Sequence, residues 1–402
     1  MARHYYLTRS GRLRRKDKTL CFEPTEEKAV EESTLVPHDE DSVNSFEAET
    51  GEEVSAIDLA ASLSVLEEAG GLGDLALEQE ERFAIKEDET ETEKPVRVNE
   101  RRTIPVEDVD GIWVFNEMDL NARVLIFLSQ NKIPVHFFNY YGFYAGTFYP
   151  REYLQAGYVL TRQVRHYSNK RLRLKIARQF IDAALHNIMR NLRYYGARGA
   201  NVQAQTEDLQ SEIFRLAQVN RIDELMGCEG RARSAYYQAF PEILRDAGDF
   251  TKRVRRPPNN MVNALMSFAN GLTYTSVLTQ IYRSQLDPTI SFLHEPGYRR
   301  FSLALDLAEI FKPILADRLL FKMLNTRQLS EKDFAQDLNC CYLKESGRKK
   351  VLQVWNDRLQ TTIEHRRLKR KVSYERLIRL ECYKLVKHLV NDEPYKGFKA
   401  WW

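Results

Sequence analysis

The chain has 402 residues, 43% of them hydrophobic and 11% aromatic, a composition typical of a globular protein with room for more than one domain. No apolar run reaches the roughly 18 residues of a membrane-spanning helix, and the first residues lack the apolar stretch of a signal peptide, so we expect no membrane association. Five cysteines without paired spacing predict reduced thiols and a cytoplasmic location.

The net charge of +3 hides a strong asymmetry along the chain. Residues 24–93 carry 23 acidic and 3 basic side chains, whereas the remaining 332 residues carry 34 acidic and 57 basic ones. A basic excess of this size is typical of a polyanion binder, although a plain basic surface would look the same. The acidic stretch is expected to be a disordered insertion in a hairpin, and it either imitates nucleic acid on the basic surface or is a solvated loop.

The N-terminal elements alternate in the manner of strands. Apart from the acidic insert, the pattern predicts strand, turn and strand over 2–22, two short strands over 101–116, a helix over 119–132 and a further hairpin over 133–150. Asp119 or Asn121 can cap the helix. His136 alternates with apolar residues and is interpreted as a packed strand histidine. Residues 1–150 are therefore predicted to form a small β-rich domain that contains the insertion 24–93.

Beyond residue 151 the pattern changes to long helices with few Gly or Pro. We predict a larger all-helical catalytic domain over 151–402, which makes the fold class α+β. A helix from Leu160 to Leu192 has a basic face that either follows a nucleic-acid backbone or is simply solvated. Its candidate DNA-binding residues are Arg162, Arg165, Lys170 and Arg173.

A second basic segment precedes another predicted helix. Arg255 and Arg256 lie in a loop closed by two prolines, and Asn259 or Asn260 can cap the helix that follows. Because helix N-termini bind anions, this loop is a candidate phosphate site.

Three acids and a histidine are the candidate metal-site residues. Asp306 and Glu309 share one face of an otherwise apolar helix, and His294 precedes it on a Glu-Pro-Gly turn. Glu229 lies between Gly227 and Gly230, which we interpret as the start of a helix. A set of carboxylates and imidazole suits Mg²⁺ or Mn²⁺, although a hydrogen-bonded histidine and water-facing acids are the simpler explanation for the spacing alone.

Four ordered motifs carry a resemblance to a known family. They read GCEGRARSAYY, RRPPNNMVNALMSF, ISFLHEPG and LALDLAEIFKP, and together they resemble the CRISPR-associated protein one family, the integrase and endonuclease of CRISPR adaptation in prokaryotic antiviral defence. The resemblance implies a homodimer that acts with the small ferredoxin-like second CRISPR adaptation protein. It also implies that short DNA fragments (spacers) are inserted into the CRISPR repeat by attack of a DNA 3′-hydroxyl on a phosphodiester.

The same resemblance implies residue roles. Glu229, His294 and Glu309 match the metal ligands, and Asp306 matches the other acid of the pair, as a supporting or alternate ligand. Tyr274 matches a tyrosine close to DNA, with burial in the core as the equal alternative. Two rival functions stay open on the sequence: a non-catalytic nucleic-acid-binding scaffold, and an RNA-directed nuclease or reverse-transcription partner.

Overall fold

A computed structural model describes residues 3–25, 102–245, 248, 250–255, 257–296, 301–337, 340–366, 368–391 and 393–402. Contacts divide the chain into two units: Met1–Pro24 with Asp88–Trp402, and Thr25–Glu87. Apart from Thr25, the second unit lies outside the described residues. The predicted disordered insert falls on these residues, so it stays a prediction. Pro24 itself pairs with Gly11 at the end of a strand, so the insert follows that strand.

Two four-stranded sheets form the N-terminal region. Their elements are β1 (Arg3–Leu7), β2 (Gly11–Lys16), β3 (Thr19–Pro24), β4 (Arg102–Pro105), β5 (Val109–Val114), β6 (Met118–Leu120), α1 (Ala122–Gln130), β7 (Val135–Phe138) and β8 (Tyr144–Phe148). The strand orders are β1-β5-β7-β8 and β4-β3-β2-β6. The Asn121 side chain caps α1 by accepting a 3.0 Å hydrogen bond from the Val124 amide, which confirms one of the two predicted caps.

The two sheets and α1 enclose a core of their own, while the first sheet also contacts the C-terminal helices. The small core includes Leu13, Phe22 and Phe127. On the other side, the Trp113 indole donates a 2.9 Å hydrogen bond to Thr275. Both ring nitrogens of His136 are 2.8 Å from threonine hydroxyls, which confirms the packed strand histidine. The division into 1–150 and 151–402 stays a prediction.

The C-terminal region is mostly helical, as expected for an α+β chain. Its helices are α2 (Gly157–Ser168), α3 (Lys170–Gly196), α4 (Gln203–Leu216), α5 (Ile222–Gln238), α6 (Phe240–Ile243), α7 (Met261–Tyr282), α8 (Ser302–Lys312), α9 (Arg318–Asn325), α10 (Glu345–Gln360) and α11 (Tyr374–Asn391). A π-helical turn over Pro313–Asp317 joins α8 to α9.

Two hairpins show that the prediction of an all-helical C-terminal domain was wrong. They are β9 (Phe334–Asp337) with β10 (Cys340–Leu343), and β11 (Thr362–His365) with β12 (Arg370–Ser373). Strands of four residues contain too few alternations to stand out in a basic, helix-rich sequence. Burial of Val372 against the helices anchors the second hairpin, and only the tertiary structure provides that contact.

The single basic helix predicted from Leu160 to Leu192 is also wrong, because it breaks at Asn169. The Asn169 backbone is extended, and its side chain accepts hydrogen bonds of 3.1 Å from the amides of Arg171 and Leu172. This side chain caps α3, so the chain changes direction between α2 and α3.

Helix α7 lies at the centre of the helical region. It is apolar on all sides and almost entirely buried, and α8 and α11 pack against it. The Asn260 side chain caps α7 by accepting a 2.9 Å hydrogen bond from the Asn263 amide, which confirms one of the two predicted caps. Helix α3 packs against both α5 and α8, which brings the two acid-bearing helices to one place. Within the described ranges, no helix has the length and hydropathy needed to cross a bilayer.

Candidate active site

Glu229 of α5 and Glu309 of α8 meet at a shared cation. The guanidinium of Arg233, one turn beyond Glu229, forms hydrogen bonds with both carboxylates. The Lys312 ammonium binds the other oxygen of Glu309. Because Arg233 and Glu309 are both buried, each requires the other's charge. Two of the predicted ligands, 80 residues apart in sequence, therefore face one point.

The position of Glu229 within its helix differs from the prediction. Gly227 and Gly230 are helical residues inside α5, which spans Ile222–Gln238, so Glu229 lies in mid-helix instead of at a helix start. Packing against α3 and α4 overrides the low helix propensity of glycine at these positions. A stabilising interaction with the helix dipole therefore does not account for Glu229.

His294 is held by Asp306, which is fully buried. The Asp306 carboxylate accepts backbone hydrogen bonds from Phe292, Leu293 and His294 at 2.7, 2.8 and 3.0 Å. It also lies 2.8 Å from Nδ1 of His294. Because a carboxylate only accepts, Nδ1 carries a proton, and in the neutral imidazole Nε2 keeps its lone pair. Burial would lower the pKa of His294, but Asp306 raises it above its ordinary value.

The turn that carries His294 is fixed from α2 and α3. Arg173 donates to the carbonyl of Phe292 at 2.8 Å and to the Glu295 carboxylate at 2.7 Å. Tyr167 donates to the same carboxylate at 3.0 Å. The donors of Arg173 thus hold the histidine turn, and its predicted contact with DNA stays a prediction.

Asp317, in the π-helical turn after α8, completes the buried charge cluster. It is 3% exposed, and one of its carboxylate oxygens has no hydrogen-bond partner within the described part of the chain. Burial raises its pKa to about 6 although Arg233 acts in the opposite direction. Burial alone would lower the pKa of Arg233, but Glu309 and Glu229 raise it well above its ordinary value. Helical π-turns are frequent at functional sites.

Sequence reasoning missed Arg233, Lys312 and Asp317. A signal for two of them was present, because a base follows each acid at a spacing that shares a helix face: Arg233 four residues after Glu229, and Lys312 three after Glu309. Nothing in the sequence marked Asp317, whose importance depends on the π-helical turn.

The donors present fit a divalent cation by their chemistry. Two carboxylates and the free Nε2 of His294 are hard-to-borderline ligands that suit Mg²⁺ or Mn²⁺. Arg233 and Lys312 neutralise the carboxylates in this arrangement. Among the described residues, Glu229, His294 and Glu309 do not bring ligand atoms within 4.8 Å of one another. Closure around an ion therefore requires the two basic side chains to move.

A tighter group of potential ligands lies elsewhere, at His4, Asp110 and Glu375, whose ligand atoms are within 4.8 Å of one another. Each acid already has a partner: Arg283 lies 2.6 Å from Asp110, and His4 lies 3.2 Å from Glu375. These ion pairs balance the charge without a metal, so we interpret the group as a polar contact between the β1-β5-β7-β8 sheet and α11.

The remaining candidate DNA-binding residues differ in their exposure. Arg165, Lys170 and Arg255 are exposed. Arg162 is half-buried and donates to the Tyr158 hydroxyl at 3.0 and 2.8 Å. Arg256 lies outside the described residues. The basic loop before α7 keeps Arg255 as its exposed candidate.

Tyr274 lies in the core of the helical region. It is 8% exposed, and its ring packs edge-on against Tyr144 with centroids 5.1 Å apart. This environment favours the packing alternative over contact with DNA. The C-terminal Trp401 and Trp402 are likewise partly buried against the helical core.

Comparison with known proteins identifies the family. The profile of the family described as CRISPR associated protein Cas1 matches residues 75–357, more than half of the chain. The chain belongs to the Cas1 family. A Cas1 relative, the CRISPR-associated endonuclease Cas1 of Fusobacterium nucleatum, is 49% identical over 304 residues, which cover 76% of this chain and 90% of the relative. The predicted resemblance, and with it the interpretation as an endonuclease of this family, is confirmed.

Solved structures agree with the assignment to Cas1. A Cas1 protein from Thermotoga maritima has a TM-score of 0.73 at 33% identity, covering 98% of this chain and 99% of that one. Two others share the fold at lower identity. A casposase bound to its integration product has a TM-score of 0.74 at 18% identity, covering 98% and 92% of the two chains. A Cas6-RT-Cas1–Cas2 complex has a TM-score of 0.73 at 16% identity, covering 99% of this chain and 36% of that one.

Proposed function

We propose that this Cas1 chain is the metal-dependent DNA integrase of CRISPR adaptation. The 3′-hydroxyl oxygen of a short DNA fragment forms a bond to a phosphorus of the CRISPR repeat. The P–O bond to the neighbouring nucleotide breaks, the proton of the attacking hydroxyl passes to solvent, and the leaving oxygen takes up a proton to become a hydroxyl group. Water in place of the hydroxyl gives endonuclease cleavage. The observation that carries the proposal is the meeting of Glu229 and Glu309 at Arg233, with His294 held by Asp306 in the same charge cluster.

Glu229, Glu309 and Nε2 of His294 are the groups that would hold Mg²⁺ or Mn²⁺. Such an ion would supply Lewis-acid chemistry, polarising the phosphodiester and stabilising charge on the attacking and leaving oxygens. Asp306 is a positioning residue in this proposal, because its four hydrogen bonds fix the turn and the tautomer of His294.

The basic side chains of the site have a second role. Arg233 and Lys312 hold positive charge beside the acids, where the negative charge of a phosphate has to be stabilised during the reaction. If the acids held an ion, Arg233 would need another acceptor, and the carboxylate oxygen of buried Asp317 that has no partner among the described residues is a candidate.

Exposed basic side chains mark the surface along which DNA reaches this site. Arg165 and Lys170, where α2 meets α3, and Arg255, in the loop before α7, are exposed and can contact phosphates without reading the sequence. We further propose a homodimer acting with the small ferredoxin-like second adaptation protein in the prokaryotic cytoplasm. A Cas1–Cas2 complex and a DNA-bound casposase with the same fold support these partners.

The experiment is strand transfer of a labelled short duplex into supercoiled plasmid. Reactions contain Mg²⁺ or Mn²⁺, with and without the small partner protein, and compare wild type with His294→Ala and Glu229→Gln. We expect joined products only with metal and only with wild type, while DNA affinity stays within about twofold because neither residue is part of the phosphate-binding surface.

The control is Glu242→Gln, which changes an exposed acid elsewhere on the chain and should join DNA like wild type. DNA binding without joining or cutting under any metal would instead identify a non-catalytic scaffold. Preferential cleavage of RNA under the same conditions would favour the nuclease alternative.

A further inference from the structure

The β11–β12 hairpin presents an exposed set of basic residues that no part of the proposed active site uses. Its described residues include four basic side chains and one acidic side chain. The bases are Arg366, Lys369, Arg370 and Lys371, all exposed, and the acid is Glu364, which lies opposite Lys371 in the strand pairing. None of these four bases forms an ion pair with a described residue. Their charges are therefore available to a partner.

Burial and hydrogen bonds anchor the described residues of the hairpin at its base and near its tip. At its base, Val372 is buried and the Tyr374 amide donates to the Thr361 carbonyl at 3.2 Å. At its tip, the amides of Leu368 and Lys369 donate to His365, at 3.1 Å to the ring and 2.8 Å to the carbonyl. A rigid two-stranded ribbon loses little conformational entropy on binding.

An aromatic side chain orients one of the bases. The Arg366 guanidinium lies 5.3 Å from the centre of the Trp401 ring. Trp401 is fixed in turn, because Arg190 of α3 donates to its carbonyl at 3.4 Å and to that of Trp402 at 3.2 Å. A stacked guanidinium keeps its donors in the ring plane free for a phosphate oxygen.

The N-terminal β2–β3 hairpin is a contrasting case within the same chain. It is also rich in basic side chains, and three of its arginines have partners. Arg12 pairs with Asp119 at 3.1 Å, Arg14 pairs with Glu23 at 3.3 Å, and Arg15 lies 4.3 Å from the centre of the Phe127 ring. Both hairpins are therefore rich in basic side chains, but ion pairs engage Arg12 and Arg14 of β2–β3, whereas none of the four basic side chains of β11–β12 forms an ion pair with a described residue.

We propose that the β11–β12 hairpin is a phosphate-binding ribbon that holds the backbone of duplex DNA. DNA carries about one negative charge per 1.7 Å of its axis. A group of neighbouring basic side chains without ion pairs complements this dense negative charge. Among the described residues of the hairpin, Leu368 is the one exposed apolar side chain, at 39%, and it offers little of the hydrophobic area that a protein interface needs. The inference rests on the proposed function for its choice of DNA and adds a binding surface to it.

The test measures DNA affinity against salt with full-length protein. Arg366, Lys369, Arg370 and Lys371 are replaced together by Gln, and binding to a mixed-sequence duplex is followed between about 50 and 200 mM NaCl. We expect the slope of log K against log salt to be smaller by about 0.9 for each phosphate that the variant no longer neutralises, hence by about 2 to 4.

The matched control replaces the same number of bases on the other hairpin, by changing Arg12, Arg14, Arg15 and Lys16 to Gln. Its slope should change by less than that of the ribbon variant. Equal changes of slope in the two variants would mean that only net charge matters, and would overturn the proposal. An unchanged slope with weaker binding to the small partner protein would assign the ribbon to that protein and overturn it as well.

A second measurement uses wild type and does not depend on folding of a variant. Duplex DNA should protect Lys369 and Lys371 from acetylation, while Lys16 and Lys18 should react as in free protein. Unprotected Lys369 and Lys371 at saturating DNA would refute the ribbon. Strand transfer is assayed on the same samples, so that protection without joining would count against the integrase and leave the ribbon intact.

Discussion

Asp306 gives the sharpest test of how the site is built. Asp306→Asn keeps the side-chain shape but replaces one carboxylate oxygen by an NH₂ group. In wild type, one oxygen accepts from the amides of Phe292 and Leu293, and the other accepts from the amide of His294 and from its Nδ1. The asparagine oxygen can replace only one of these two acceptors.

The expected cost follows from those hydrogen bonds. If the amide oxygen keeps Phe292 and Leu293, its NH₂ group faces the His294 amide, and a buried donor without an acceptor costs about 1–3 kcal/mol. The bonds that remain are no longer to a charged group and are weaker by about 1 kcal/mol. A destabilisation of about 2–4 kcal/mol should lower the unfolding midpoint by roughly 2–5 °C for a chain of this size.

The same substitution changes the histidine tautomer. An NH₂ group opposite Nδ1 forces that nitrogen to accept, so the proton moves to Nε2, and the ligand lone pair is lost. Strand transfer should fall by about 10–100-fold and require more metal, as is typical when a residue that orients a ligand is changed. The tautomer itself can be read from the nitrogen-15 chemical shifts of His294.

The assays are thermal unfolding, strand transfer across a metal titration, and the imidazole shifts. Asp357→Asn, at an exposed acid on α10, is the control and should behave as wild type in all three. An unchanged midpoint with unchanged activity would contradict the hydrogen-bonding argument. An unchanged midpoint with no activity at any metal concentration would make Asp306 a direct ligand instead.

Three further predictions concern charge. Arg233→Ala should destabilise the metal-free protein by about 3–5 kcal/mol, because it leaves buried Glu309 without that partner. Calorimetry should show that Mn²⁺ restores part of this stability. The control Arg221→Ala, at an exposed arginine, should change the stability little. Burial lowers the pKa of His136 to about 3, so this histidine stays neutral in the folded protein. The free energy of unfolding should therefore fall as the pH drops below about 6.5, by up to about 1.4 kcal/mol per pH unit. His136→Gln should remove that slope in denaturant titrations. Deletion of residues 26–93 removes 20 net negative charges and should tighten DNA binding at low salt; equal affinity across a salt series would refute charge masking.

Local signals in the sequence were reliable where the cause was local. Asn121 and Asn260 cap their helices as predicted, because a cap depends on a side chain and amides two or three residues away. His136 packs in its strand as the alternation indicated. Asn169 offered a cap of the same kind, but the basic periodicity on both sides concealed the break.

What the sequence alone determined was the chemistry available: a family signature, a basic body with an acidic insert, and acids with a histidine at ligand-like spacings. The tertiary structure decided which groups meet. It joined Glu229 to Glu309 through Arg233, made Asp306 the support of His294, and buried Tyr274. The physical reason is that partners far apart in sequence leave no periodic trace, so their pairing exists only once α3 has packed α5 and α8 together.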